Sequence, residues 1–375
     1  MTIELLDGNE AAAYAARLSR VKCIPHFPIT PQTEITEMLA QWHADGLDIE
    51  FNGLESEHSV LSAALGSEMM GSRTFTATSS QGLMLMHEVL PIVSGTRMPL
   101  VMVNVSRGLS APITLWSDHN DFLAMRDSGW LMFAAETNQE ILDSIILAYK
   151  ISENKNVLLP SLINMDGFIH SYTRTEVDIP LQKLVDRFLP PFDLEIKLDT
   201  KKPLSLGVPA MENYMFFKSQ MHKAQLNAFE VIKKVQKEWY KLTKRKYDFI
   251  EKYKLDDAKI AIIMIGANTT IARSAVELLR KENIAAGLLR IRVYRPFPIR
   301  ELKKALRSIK RIIVFDQNIA PGSGGILYPE IKSLTSGLAS NCIFSLGGKP
   351  VSDKQIANVI RHCLKTNKEE RIWLI

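Results

Sequence analysis

The chain has 375 residues, about two to three times the length of an ordinary domain, so a single small module is excluded. Hydrophobic residues make up 46% and charged residues 23% of the sequence, a globular balance that excludes disordered, collagen-like and low-complexity proteins. There are only three cysteines, Cys23, Cys342 and Cys363, too few for a disulfide framework, and no two of them have the spacing of a cysteine-built zinc or iron–sulfur site.

The formal net charge of +5 is concentrated in residues 232–254, which carry nine Lys and Arg against three Asp and Glu. No nucleic-acid-binding motif accompanies this segment, so we interpret it as a solvated helix face or a subunit contact and expect no nucleic-acid partner. The acidic start, Met1-Thr2-Ile3-Glu4, and the lack of any apolar run of ~18 residues predict no membrane segment. A reducing, cytoplasmic location is therefore expected.

Residues 1–170 alternate β-branched runs with helical patterns, which is typical of a doubly wound α/β domain with a parallel sheet. The predicted helices are Asn9–Arg20, Pro31–Asp45, Ser56–Gly71, Gln81–Ser94 and Asn138–Glu153. The predicted strands are Cys23–Phe27, Asp48–Asn52, Thr74–Ala77, Leu100–Val105, Leu131–Ala134 and Val157–Leu162.

Residues 171–256 are predicted to form a connector, first punctuated by prolines and then continuing as a long basic helix over 211–253. Residues 257–375 are predicted to form a second, smaller doubly wound parallel-sheet domain. Its predicted strands are Ile260–Ile265, Ala286–Ile291, Arg311–Asp316 and Asn341–Leu346, and its predicted helices are Thr270–Lys281, Ile299–Ile309, Gly325–Thr335 and Asp353–Lys365.

Polar segments follow several strands of the first domain, where open parallel sheets bind ligands. Thr30 lies between two prolines that fix the backbone, either as a ligand contact or as an N-cap in a rigid turn. Glu57 begins a helix, where its carboxylate either offsets the helix dipole or exchanges protons inside an apolar cleft. Arg107 follows an apolar strand and can bind a carboxylate with two N–H donors or form a structural ion pair.

Other motifs carry less information. The turn Thr76–Gly82 and the segment Trp116–Asp121 place hydroxyl, amide and carboxylate groups near the same crevice. The turn Pro321–Gly325 is either a tight turn or a cradle for a phosphate. The sequence contains no P-loop, Gly-x-Ser-x-Gly, His-Glu-x-x-His or Cys-x-x-Cys motif, and we predict no metal site within this chain.

A set of ordered segments runs through nearly the whole chain. They are Gly8–Ala13, Phe27–Thr33, Glu55–Ser59, Arg73–Gly82, Asp118-His119, Arg126–Trp130, Tyr294–Pro298 and Asp316–Ile319. Together they resemble the alpha subunits of the pyruvate:ferredoxin oxidoreductase family. The resemblance implies a thiamine-diphosphate pyrimidine-binding domain followed by a domain like the C-terminal domain of transketolases.

The family resemblance also implies the reaction and its partners. The enzyme would decarboxylate a 2-oxoacid oxidatively, pass electrons to ferredoxin and transfer the acyl group to coenzyme A. No Gly-Asp-Gly motif occurs in this chain, so the cofactor's diphosphate and its Mg²⁺ would be held by a beta subunit. The [4Fe-4S] clusters would lie in beta and delta-type partners, and a gamma-type subunit would complete the complex.

Roles for individual residues follow from the same resemblance. Glu57 matches the carboxylate that hydrogen-bonds N1′ of the aminopyrimidine and promotes loss of the proton from C2 of the thiazolium ring. Thr30 and Arg107 match the pair that holds the substrate carboxylate. The remaining assigned residues are Ile29, Ser80 and Gln81 for the cofactor and, as secondary candidates, Asp118 and His119.

Two departures from the family pattern concern specificity. Phe27 stands where Tyr is usual, and Ser117 stands where Gly is expected before Asp-His. Pyruvate is the expected substrate, with 2-oxoisovalerate or another 2-oxoacid as the alternative. A cofactor-free assembly subunit is a further alternative, against which the joint presence of Glu57, Thr30 and Arg107 argues.

Overall fold

The computed structural model describes residues 2–207 and 211–375. The helices are α1 Gly8–Leu18, α2 Thr33–Ala44, α3 Glu57–Met69, α4 Ser80–Leu85, α5 Leu90–Gly95, α6 Asn120–Ala124, α7 Asn138–Ser152, α8 Ile169–Tyr172, α9 Gln182–Phe188, α10 Tyr214–Thr243, α11 Thr269–Lys281, α12 Ile299–Leu306, α13 Leu327–Lys332 and α14 Asp353–Lys365. The strands are β1 Thr2–Leu6, β2 Cys23–His26, β3 Glu50–Gly53, β4 Phe75–Thr78, β5 Val101–Ser106, β6 Leu131–Ala134, β7 Ser161–Asp166, β8 Thr175–Ile179, β9 Ile250–Tyr253, β10 Ile260–Met264, β11 Ala286–Ile291, β12 Val293–Arg295, β13 Arg311–Asp316, β14 Leu338–Phe344 and β15 Arg371–Leu374.

The first sheet has the strand order β12-β6-β7-β5-β4, in which β4, β5, β7 and β6 run parallel. The parallel pair β2 and β3 adjoins it through a bridge between Cys23 and Thr74. Successive residues of β5 alternate between two cores, Val101 and Val103 on one face and Met102 on the other. Helices therefore cover both faces of this sheet, as a doubly wound fold requires.

The second sheet has the strand order β15-β14-β13-β10-β11-β9. All of its pairs are parallel except that of the edge strand β9, which runs antiparallel to β11. Helices α11 and α14 pack together in the core on one face, and residues of α12 and α13 lie in the core on the other. The expected fold class, two doubly wound α/β domains with parallel sheets, is confirmed.

Two features join the sheets: the pairing of strand β12 with the first sheet and a set of buried ion pairs. Strand β12 directly follows β11 along the chain but pairs antiparallel with β6 of the first sheet. Arg290 and Arg292, from the end of β11, each lie 2.5 Å from the carboxylate of Glu140 on α7. All three side chains are buried, so the ion pairs act where solvent screens them weakly.

Several element bounds differ from the prediction. The predicted strand 157–162 begins later, at Ser161, because the preceding apolar residues form a turn closed by the carbonyl of Asn154. The predicted helix 81–94 is divided into α4, a 3-10 turn and α5, since Pro91 cannot continue a helix from upstream. The antiparallel pair formed by β1 and β8 was not predicted.

The long basic helix was predicted too long. Helix α10 ends at Thr243, because Lys244 adopts a left-handed conformation, and residues 250–253 then form the edge strand β9 of the second sheet. Its buried positions include Ala228, Ile232 and Trp239, whereas Lys234 is exposed, which agrees with a solvated basic face. Among the helices of residues 2–207 and 211–375, none is both long and apolar enough to cross a membrane.

Candidate active site

The candidate residues come together at one edge of the first sheet. Ile29 and Thr30 follow β2, Ser80 and Gln81 follow β4, and Arg107 follows β5. Because these strands run parallel, their carboxyl ends share an edge, where open α/β sheets form ligand crevices. The structure thus brings these residues to the sheet edge at which the sequence placed them, and their role there stays a prediction.

Arg107 is held by acceptors from two other segments. Its Nη1 donates to the carbonyl of Thr30 at 2.7 Å, and its Nη2 donates to Oε1 of Gln81 at 2.9 Å. The side chain is buried, and its Nε finds no hydrogen-bond partner among the described residues. Burial lowers the pKa of Arg107, while the carboxylates of Asp121 and Glu57 act in the opposite direction. A guanidinium has five N–H donors, so this one is oriented and can still bind an anion.

The turn after β4 carries Ser80 and Gln81. Ser80 has a φ of 48°, and its Oγ lies 2.8 Å from the carbonyl of Gly108 and 2.6 Å from Oε1 of Gln81. The oxygen of the Gln81 amide is thus engaged by both Ser80 and Arg107. Nε2 of Gln81 makes no hydrogen bond among the described residues, so its hydrogens remain available as donors.

Glu57 occupies the first turn of α3, which begins after the N-cap Ser56. Its side chain is buried, and a Cβ atom placed on Gly82 would lie 2.5 Å from its Oε1. The same Cβ would lie 2.5 Å from Oγ1 of Thr78, a buried hydroxyl that lacks a partner among the described residues. The absence of a side chain at Gly82 lets the Glu57 carboxylate and the Thr78 hydroxyl lie close against the backbone of α4.

Thr30 lies in a turn that is tied down from two sides. The carbonyl of Pro31 accepts from Nδ2 of Asn9 at 2.9 Å, and Nε2 of Gln32 donates to the carbonyl of Phe27 at 2.8 Å. Helix α2 starts only at Thr33, and Thr30 does not cap it. Thr30 itself is exposed, so its hydroxyl remains accessible while its carbonyl orients Arg107.

Asp118 and His119 lie between the two domains. Oδ2 of Asp118 accepts from the backbone N–H of Gly347 at 3.3 Å, and burial raises the pKa of Asp118 to about 6. A Cβ on Gly266 would lie 2.8 Å from the His119 ring, and burial lowers the pKa of His119 to about 4. These side chains face the second domain, although Asp118 also approaches Gly108 beside the Arg107 cluster.

Asp121 belongs to the same cluster, although the sequence analysis did not assign it a role. Its carboxylate accepts from the backbone N–H groups of both Ser80 and Arg107, each at 3.1 Å. Its position in a polar segment at the start of α6 was the available signal. The direction of its side chain depends on tertiary packing and could not be predicted from that segment. No group of His, Cys, Asp and Glu suited to a metal ion occurs within the described residues.

The chain belongs to the pyruvate flavodoxin/ferredoxin oxidoreductase family. The family's thiamine-diphosphate-binding model matches residues 13–237, and the model of core domain II of pyruvate:ferredoxin oxidoreductase matches residues 258–356. Among relatives, the chain is 42% identical to the pyruvate synthase subunit PorA of Methanothermobacter thermautotrophicus, covering 99% of this chain and 97% of that protein. It is 40% identical to the ketoisovalerate oxidoreductase subunit VorA of Pyrococcus abyssi, covering 98% and 96%.

Solved structures support the same fold. A 2-oxoglutarate:ferredoxin oxidoreductase from Magnetococcus marinus aligns with a TM-score of 0.77 at 20% identity, over 96% of this chain and 65% of that chain. A split-gene transketolase aligns with a TM-score of 0.55 at 11% identity, over 96% and 99%. At these identities the likeness concerns the fold, and it agrees with a pyrimidine-binding domain followed by a transketolase C-terminal-like domain.

Proposed function

We propose that this chain is the alpha subunit of a multi-subunit pyruvate:ferredoxin oxidoreductase, also called pyruvate synthase. The reaction is the coenzyme A-dependent oxidative decarboxylation of pyruvate to acetyl-CoA and carbon dioxide, with reduction of ferredoxin. The observation that carries this proposal is the oriented Arg107 guanidinium on the same sheet edge as the buried Glu57 carboxylate. Family membership and the similarity to PorA over nearly the full chain support it.

The residues around Glu57 fit the aminopyrimidine of thiamine diphosphate. A buried carboxylate and the Thr78 hydroxyl, which has no partner among the described residues, offer polar contacts, and the lack of a side chain at Gly82 lets both lie against α4. When bound, thiamine diphosphate supplies a carbon nucleophile and takes up the electrons released with carbon dioxide. Glu57 would hydrogen-bond N1′ and hold or release the proton there. Ile29, Ser80 and Gln81 would border the cofactor.

Arg107 and Thr30 would hold the carboxylate of the 2-oxoacid. The guanidinium offers charge and parallel N–H donors, and the exposed Thr30 hydroxyl adds a further donor. Carbon dioxide leaves without the negative charge of the carboxylate, so this contact serves orientation more than bond cleavage. Asp118 and His119 are proposed as supporting residues at the domain boundary and not as proton carriers.

The remaining parts of the enzyme would lie in partner subunits. We infer that the diphosphate, Mg²⁺ and [4Fe-4S] clusters are held by beta and delta-type chains, with a gamma-type chain and ferredoxin completing the system. The chain's own sequence lacks both a Gly-Asp-Gly motif and clustered cysteines, which supports this division. We propose the domain limits 1–170, 171–256 and 257–375 and a cytoplasmic location.

Substrate preference has one specific alternative. The VorA subunit of Pyrococcus abyssi is nearly as similar to this chain as PorA of Methanothermobacter thermautotrophicus, at 40% against 42% identity. Phe27 and Ser117, which depart from the family pattern, lie on the turns that carry Thr30 and Asp118. A 2-oxoisovalerate-oxidising alpha subunit is therefore the second candidate, ahead of a non-catalytic assembly subunit.

The test is turnover by the complete complex. The complex is purified anaerobically with its partner subunits and supplied with thiamine diphosphate, Mg²⁺ and coenzyme A, and viologen reduction is followed with pyruvate and with 2-oxoisovalerate. A higher kcat/KM with pyruvate supports the proposal. A higher kcat/KM with 2-oxoisovalerate would change the assigned substrate but not the assigned mechanism. No reduction with either acid by an intact complex would overturn both specificities.

A further inference from the structure

The carboxylate of Asp121 is the most highly connected acceptor near the candidate active site. Asp121 lies on α6 and is fully buried. Its Oδ1 accepts from Oγ of Ser106 at 2.7 Å and from the N–H of Phe122 at 2.6 Å. Its Oδ2 accepts from the N–H groups of Ser80 and Arg107, each at 3.1 Å. Four donors therefore lie against this buried carboxylate, none of them a cationic side chain, although the Ser106 hydroxyl also contacts the carbonyl of Asp118.

One oxygen of Asp121 thus joins two segments of the site. The backbone of Ser80 and the backbone of Arg107 both donate to Oδ2, while their side chains meet again at Oε1 of Gln81. Two separate points of attachment fix both the distance and the orientation between the turn after β4 and the end of β5. The left-handed conformation of Ser80, with φ of 48°, is unfavourable for a residue with a side chain and needs such external support.

The loop that carries Asp121 is in turn held by the second domain. The N–H of His119 donates to the carbonyl of Gln317 at 2.7 Å, and Oδ1 of Asn120 accepts from the N–H of Ile319 at 2.8 Å. Nε2 of Gln317 lies 3.3 Å from the carbonyl of Ser117. These contacts attach the loop to the second domain. None of the hydrogen bonds of Arg107 described above comes from that domain.

We propose that Asp121 is the positioning residue that holds Arg107 and the Ser80–Gln81 turn in the geometry that binds the substrate carboxylate. The proposal rests on the proposed function, because it concerns the same anion-binding cluster. All four described hydrogen bonds of Asp121 are to protein groups, so we assign it no contact with substrate or cofactor. It acts through Arg107 and Gln81, and its own position depends on the interdomain contacts of residues 117–120.

The first test is Asp121→Asn in the assembled complex. An amide has one acceptor oxygen, so two of the four donors lose their acceptor or face an N–H group. We expect KM for the 2-oxoacid to rise about 10- to 100-fold, since small displacements of a positioned group cost this much. Exchange of the C2 proton of bound thiamine diphosphate, which depends on Glu57, should slow by a smaller factor than the rise in KM, because the Glu57 carboxylate is not bonded to Asp121.

A readout without catalysis comes from amide hydrogen exchange of the complex before thiamine diphosphate is added. The amides of Ser80 and Arg107 should exchange faster in D121N, because both donate to Oδ2. Asp143→Asn is the matched control, because Asp143 is an equally buried carboxylate. It accepts from the side chains of Arg245 and Tyr247, which do not belong to the Arg107 cluster. D143N should lower thermal stability without changing KM or exchange at Ser80 and Arg107.

A double-variant cycle separates positioning from general support. In an Arg107→Ala background, D121N should add little to the KM already raised by loss of Arg107, since the two residues act as one unit. Equal and additive effects on KM, or unchanged KM and amide exchange in D121N, would overturn the role of Asp121. If R107A alone had wild-type kinetics, Arg107 would not bind the substrate carboxylate, and the proposed function of this site would be wrong.

Ser106→Ala keeps the proposal testable where D121N fails to assemble. This variant leaves the carboxylate in place and removes a hydroxyl that contacts both Oδ1 of Asp121 and the carbonyl of Asp118 on the same loop. KM for the 2-oxoacid should rise about threefold, the effect of one hydrogen bond, and exchange at the Arg107 amide should quicken. An assembled S106A complex with wild-type KM and wild-type exchange would count against the positioning role.

Discussion

A Cβ atom on Gly82 would lie 2.5 Å from Oε1 of Glu57, so the carboxylate occupies space that any other residue at position 82 would take. Gly82 does not have a positive φ, and the requirement for glycine is therefore one of close approach. The first turn of α3 and the first turn of α4 meet at this contact. Glu57 is consequently held beside α4 and not at a freely solvated helix start.

Gly82→Ala should disable the site while the fold persists. The added methyl group displaces the Glu57 carboxylate, and we expect kcat to fall about 100-fold, the scale of a misplaced catalytic group. Gly66→Ala is the control, because Gly66 lies on α3 with nothing within 4 Å of its added Cβ. Viologen reduction by the assembled complex measures both variants. Normal kcat in G82A would show that the Glu57 position is not critical.

Glu57→Gln should abolish exchange of the C2 proton of bound thiamine diphosphate. Glutamine keeps the shape of the side chain but cannot exchange a proton with N1′, so the cofactor is not activated. Glu55→Gln, an exposed carboxylate bonded only to Ser59 among the described residues, should exchange normally. The assembled complex is incubated in deuterium oxide and quenched with acid, and proton NMR of the released thiamine diphosphate gives the rates. Unchanged exchange in E57Q would remove Glu57 from this role.

Arg107→Lys should weaken use of the 2-oxoacid without loss of charge. Lysine cannot reach the Thr30 carbonyl and Gln81 Oε1 in the same planar fork, so we expect KM to rise about tenfold or more. Arg97→Lys is the control, because Arg97 bridges the carbonyls of Val157 and Leu158 away from the site. Steady-state kinetics with varied 2-oxoacid distinguish the two. An R107K enzyme with wild-type KM would exclude bidentate binding.

Glu140→Gln should loosen the contact between the domains. Burial alone would raise the pKa of Glu140, but Arg290 and Arg292 bring it below its ordinary value of 4.5. A depressed pKa contributes stability above pH 4.5 that is lost as pH falls through the folded value. In E140Q the buried Arg292 loses the carboxylate it pairs with, whereas Arg290 keeps those of Glu136 and Glu251, so the free energy of unfolding at pH 7 should fall by about 3 kcal/mol.

The same variant should also reduce the pH dependence of stability. Thermal unfolding at pH 7 and at pH 4 should differ less in E140Q than in wild type, because the titrating carboxylate is gone. Glu282→Gln, an exposed partner of Arg361, should behave as wild type. If E140Q and wild type unfold at the same temperature at pH 7, the ion pairs of Glu140 do not stabilise the domain contact.

Local sequence patterns were sufficient for the fold class and for most elements. The buried apolar run of β5 and the capped start of α3 at Ser56 are encoded by neighbouring residues, through burial and side-chain capping. Patterns failed where long-range pairing decides the structure. Strand β1 exposes Ile3 and Leu5, and its pairing with β8 is set by packing more than 160 residues away.

The sequence by itself determined that Thr30, Ser80 and Arg107 would follow parallel strands and so share one edge of a sheet, because strand periodicity and turn residues are local properties. Only the tertiary structure decided which acceptors Arg107 meets, that Asp121 joins two strand ends, and that His119 faces the second domain. Hydrogen bonds between distant segments depend on how helices and sheets pack. That packing is a property of the whole chain and not of any single motif.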